Sequence, residues 1–243
     1  LLILSTKEQK DKKLIKNLSI YIGIILLCVV IYWFSSFVAI VLFVVLSAYH
    51  FGEEHLSHKI NVNFVFNAVY FLSYGLFIFA LLFYQSISDV DFIMKELTGE
   101  TFSKIQIEIT LIMSAISLSI GSIYLILTKR NESVLFLREF LYFVLLFLVF
   151  NTSSLILGFA IYFILWHSIP SIIHQIEFIS GSLNKRNVVT YVKKALIYWV
   201  ISIAGLLVLY QVLPEIKLLA TVVFVILFAV TAPHTWVMHR MKN

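Results

Sequence analysis

SIYIGIILLCVVIYWFSSFVAIVLFVVLSAYHFGEEHL occupies residues 19–56, and no charged residue occurs between Lys16 and Glu53. Its first part reads as two apolar helices, 18–34 and 36–52, each near the lower limit of about 17 residues for crossing a bilayer. They are joined only through Ser35 and Ser36, the second already the first residue of its helix, so the alternatives are a very tight hairpin or one long tilted helix. The end of the stretch is different. His50, Glu53, Glu54 and His55 fall within six positions, where a helix should still be in or near lipid. Ionisable groups are costly there and mark functional candidates. They form either a polar helix end or part of a metal site.

The rest of the chain has the same pattern. Of its 243 residues, 61% are hydrophobic and only 13% charged, and the mean hydropathy is +0.99. That is more apolar surface than a soluble domain of this size can bury, so the expected fold class is all-α, a polytopic membrane bundle. Segments of alternating polarity, the mark of an outer-membrane barrel, are absent. The remaining expected helices are 62–85, 106–127, 134–150, 153–174, 195–213 and 216–232, making about eight in a single transmembrane domain spanning 1–243. Residues 87–104 read as the longest polar connection of the first half. The lone Cys28 excludes an intramolecular disulfide and a thiolate cluster.

Charge distribution sets the expected orientation. With the basic segment 1–17 in the cytoplasm, 15 of the 18 Lys and Arg residues fall on the inner side, and only Lys95, Lys104 and Lys217 on the outer. This is the positive-inside pattern, with both ends of the chain cytoplasmic. The net charge of +5 is therefore loop charge and points to no nucleic-acid partner.

The same orientation gathers all seven histidines toward the inner leaflet. His50 and His167 each lie about 14 residues, roughly 21 Å, beyond the outer start of their helices, so they can meet at one depth. His174 comes two turns after His167 on the same face. His234 and His239 lie at the inner end of the last helix. Neutral imidazoles converging in a low-dielectric site suit a transition metal, with Glu53 or Glu54 as a partner to a ligand ring. His55, His58 and His239 read as polar residues at the aqueous boundary. In WHSIPSIIHQ, Pro170 frees the Trp166 carbonyl and predicts a kink beside His167. Glycine-rich phosphate loops, GxSxG elbows, cysteine pairs and the histidine boxes of membrane desaturases are all missing.

HFGEEH at 50–55, YFILWHSIP at 162–170 and the PH of TAPHTWVMH at 233–234 resemble the Brp/Blh family of membrane β-carotene 15,15′-dioxygenases. The resemblance implies a non-haem iron enzyme of a bacterial inner membrane. Such an enzyme uses Fe(2+) and O₂ to split the central double bond of β-carotene into two all-trans-retinal. The products leave through the lipid bilayer, with a retinal-binding rhodopsin as a candidate acceptor. It also implies that His50 and His167 are catalytic metal ligands, joined by His234. Where the family often has a second histidine four residues after the WHS one, this chain has Ser171, and His174 is the expected substitute. Tyr162 and Trp166 of the same stretch are expected beside the polyene. The family's early HG-x-x-D motif does not occur, which leads to the expectation that one N-terminal helix precedes Leu1. The alternatives are a non-catalytic carotenoid or retinal carrier or transporter, or a carotenoid cyclase or isomerase.

Overall fold

The computed structural model describes residues 7–128, 133–213 and 215–242. The chain start, and the Lys129 and Arg130 used in the charge count, lie outside the described residues. Among the described residues the α-helices run in order: α1 (Lys7–Phe34), α2 (Ser36–Leu56), α3 (Phe64–Gln85), α4 (Ile87–Thr98), α5 (Lys104–Thr128), α6 (Ser133–Thr152), α7 (Leu155–Tyr162), α8 (Ile169–Ser180), α9 (Lys185–Val212) and α10 (Ile216–Lys242). A π-helical turn, Phe163–Ser168, joins α7 to α8 in one unbroken run. Among the described residues there is no strand, and seven helical runs are long and apolar enough to cross a membrane. The helix expected at 134–150 is α6, which carries Arg138 and Glu139 and packs on α3 and α7.

Local sequence explains the breaks. Ser35 leaves the helical region at φ −156°, ψ 103°, and its hydroxyl accepts from the Val38 N–H at 3.2 Å. That cap ends α1 and starts α2, so the opening stretch is two helices. Asn63 and Asn184 cap α3 and α9 in the same way, accepting from the Phe66 and Asn187 N–H groups. Gly99 takes the left-handed conformation, φ 77°, that closes α4.

The polar connection expected at 87–104 is instead largely α4. Val90 and Met94, one turn apart, pack with Ile40 of α2, and Asp89 accepts from the Leu155 N–H at 3.2 Å. A short amphipathic helix thus holds the start of the run that carries His167. Hydropathy alone hid it, because only one face of α4 is apolar.

α3 is the central helix, flanked by α2, α5, α6 and α7, while α1, α4 and α10 gather on the other side of α2. The α2–α3 crossing is close because Gly52 of α2 abuts the Phe71 backbone and Gly75 of α3 abuts the Ala48 backbone. Small residues at four-residue spacing let membrane helices approach in this way. α9 has no buried residue and keeps α8 as its principal neighbour, as expected for a helix surrounded by lipid.

Candidate metal centre

The stretch YFILWHSIP is apolar enough to be helical in a membrane, with one defect. Pro170 has no N–H to donate, and the helix answers by widening one turn earlier. The Ile169 N–H bonds to the Ile164 carbonyl, five residues back, so an extra residue is accommodated between Phe163 and Ser168. This turn resets the phase of α8 relative to α7. His167 lies inside the turn and is 6% exposed.

Three histidines from three separate helical runs meet here. The rings of His50 and His167 have centroids 5.0 Å apart, and those of His50 and His234 5.3 Å apart. One ligand nitrogen of each lies within 4.8 Å of the others. His50 is 1% exposed and His234, next to Pro233 in α10, is half-buried. Phe51 and Phe163 close over His167 at ring distances of 4.3 and 5.3 Å.

The donor set fits a first-row transition metal. It is neutral, nitrogen-based and walled by aromatic rings. A metal–nitrogen bond of about 2.1 Å draws ligand atoms to roughly 3–3.5 Å of one another, which small side-chain rotations reach from this arrangement.

The two carboxylates of HFGEEH are both buried, and they diverge. Glu53 accepts from the Tyr49 hydroxyl at 3.2 Å. Glu54, 2% exposed, places Oε1 2.9 Å from His174 Nδ1. His174, expected as a metal ligand, therefore lies beside Glu54 and outside the group formed by His50, His167 and His234. Tyr162 is buried in the main core and meets Phe51 at 5.7 Å, so one ring separates it from His167. Trp166 turns the other way and meets Tyr142 of α6 edge-on at 5.9 Å. Ser171 accepts from the Gln175 side chain.

Spacing alone reads His55 as a polar residue at the aqueous boundary, and the structure gives it polar partners. His55 Nε2 is 2.7 Å from Glu139 Oε2, the Lys59 ammonium donates to Glu139 Oε1 at 3.2 Å, and the Tyr74 hydroxyl donates to Oε2 at 3.0 Å. Burial pushes the Lys59 ammonium below its ordinary range, against the pull of Glu139. This knot ties α2 to α3 and α6 on the face of α2 turned away from the histidine group. The available signal was Glu139 itself, a lone carboxylate in an apolar span. Removing it leaves the half-buried Lys59 ammonium and the buried Tyr74 hydroxyl without their acceptor, so Glu139→Ala is expected to cost about 1–3 kcal/mol, seen as a lowered thermal midpoint in detergent.

No curated protein and no solved structure matches this chain. A family model described as beta-carotene 15,15'-dioxygenase matches residues 2–242. That span takes in all three histidines and every helix described above. The HFGEEH and WHS stretches, the buried imidazoles they bring together and this match lead to one assignment: the chain belongs to the β-carotene 15,15′-dioxygenase family.

Proposed function

We propose that the protein is a non-haem iron dioxygenase that cleaves β-carotene across its central double bond, adding one O₂ to give two all-trans-retinal. The observation that carries this reading is the convergence of His50, His167 and His234, with one ligand nitrogen of each within 4.8 Å of the others. These three would hold Fe(2+), with His174 assigned outside the set because it faces Glu54. When bound, the ion supplies a redox-active Lewis acid with positions open to O₂.

The chain's own residues do the rest. β-Carotene has no polar handle, so orientation must come from shape and dispersion against rings such as Phe51 and Phe163. Those rings also keep water from the imidazoles. Tyr162, behind Phe51, backs that wall. Both substrate and product are lipid-soluble, which suits a site inside a bilayer. The charge count supports an orientation with both ends cytoplasmic, the family resemblance implies a bacterial inner membrane, and retinal released into that membrane is available to a rhodopsin-type acceptor.

Expression in β-carotene-producing bacteria with added iron tests the reading. Loss of colour, appearance of retinal and near-stoichiometric iron in the purified protein are expected. Unchanged carotene despite good expression would overturn it. The carrier alternative predicts a metal-free protein, and a cyclase or isomerase predicts a product that keeps the full carbon number.

The π-helical turn offers a sharper test. Deleting Leu165 converts the turn to regular α-helix and rotates α8 by about 100° relative to α7. The deletion variant is expected to keep its helical content by circular dichroism and to lose iron.

A further inference from the structure

Beyond the three histidines lies a second series of ligating side chains. His50, Glu54 and His58 recur every four residues, so they rise along one face of α2 and its C-terminal extension by about 6 Å per step. The structure bears out that shared face, because both Glu54 and His58 meet the same residue across the gap. His174 Nδ1 is 2.9 Å from Glu54, and the His174 and His58 rings are 4.5 Å apart. On the opposite wall, His167 and His174 belong to one continuous helical run.

Exposure falls steadily along this series. His58 is exposed, the His174 side chain is 35% exposed, the Glu54 side chain 1%, and His50 is 1% exposed. A hydrated divalent ion cannot cross apolar walls to reach buried imidazoles, since stripping its water without replacement ligands is prohibitive. A series of imidazole and carboxylate groups at one-turn spacing removes that barrier by exchanging ligands one at a time.

We propose that His58, His174 and Glu54 form a loading route. By it a divalent transition-metal ion passes from the aqueous edge to the site of His50, His167 and His234. The inference rests on that site being a metal centre. The route lowers the barrier in both directions and leaves the end states alone. It therefore governs rates and not affinity, which separates it from a brace that merely holds α2 against α8.

The test monitors Co(2+) uptake by the full-length, metal-stripped protein in lipid nanodiscs, using the absorption of the bound ion. His58→Ala is the primary variant, because His58 is the exposed end of the series. His174→Ala and the double variant extend the series. Association is expected to slow roughly tenfold per step removed. Dissociation into excess chelator should slow by the same factor, with Kd, stoichiometry and the spectrum of bound Co(2+) unchanged. His58→Asp should restore the rate, since a carboxylate also ligates. Variants that load at the wild-type rate, or that bind more weakly with an unchanged association rate, would overturn the route while leaving the metal centre intact. Wild-type protein that takes up no Co(2+) would instead overturn the metal centre itself.

Discussion

Replacing any one of His50, His167 or His234 with alanine is expected to abolish stable iron binding and to lower retinal formation by more than about two orders of magnitude. Losing a partner of a ligand typically costs about 10–100-fold in metal affinity or activity. Losing one of three ligands should exceed that, because two imidazoles on separate helices cannot complete a site. The three substitutions should also resemble one another in effect, since each removes an equivalent donor from the same point. Folding should survive, because each change removes a polar group from an apolar wall and leaves helices intact. Metal content of purified variants and retinal yield in a carotene-producing host check the expectation together. A His234→Ala protein that retains iron and activity would remove α10 from the site.

The second large effect is expected at the α2–α3 crossing. A Cβ at Gly75 would overlap the carbonyl oxygen of Ala48, and one at Gly52 the carbonyl oxygen of Phe71. Both obstructions are backbone, so no rotamer change relieves them. The helices must separate along their length, and His50 lies between Ala48 and Gly52 on the displaced segment. Gly75→Ala and Gly52→Ala should each cost more than the roughly 1–3 kcal/mol of ordinary overpacking. Gly75→Leu should yield no monodisperse protein in detergent. Thermal unfolding of the alanine variants, read beside their iron content, shows whether the crossing sets ligand geometry as well as stability. A Gly75→Leu protein with the wild-type midpoint would show that it sets neither.

Hydropathy made the helical architecture legible because lipid imposes a length and a composition on every span. Positions 50 and 167 could be matched in depth for the same reason, since a helix converts residue count into distance. What hydropathy cannot register is azimuth. His174 lies two turns from His167 and reads from spacing as a second ligand, yet Glu54 stands opposite it. Which residue faces which across a gap depends on helix rotation, and the π-helical turn at Phe163–Ser168 alters that rotation without changing composition. Pro170 signalled a disturbance but not its kind. α4 is invisible to hydropathy because burial of Val90 and Met94 depends on where Ile40 comes to rest, a tertiary fact. The partner of His55, Glu139, is 84 positions away and so escapes any local spacing rule.

The polar ties of α2 are distributed unevenly, and this affects how the protein meets its membrane. Apart from the cap at Ser35, they lie between Tyr49 and Lys59, where Glu53, Glu54 and His55 find their partners. Among the described residues, the longer N-terminal part of α2 is held by apolar packing, against Phe224, Phe228, Val90 and Met94 among others. Bilayers differ in thickness, and a helix adapts to a mismatch by tilting or bending at small cost per ångström. With the polar ties concentrated at one end, that adjustment is expected to be taken up away from His50. The ligand geometry is then expected to change little with the thickness of the membrane around it.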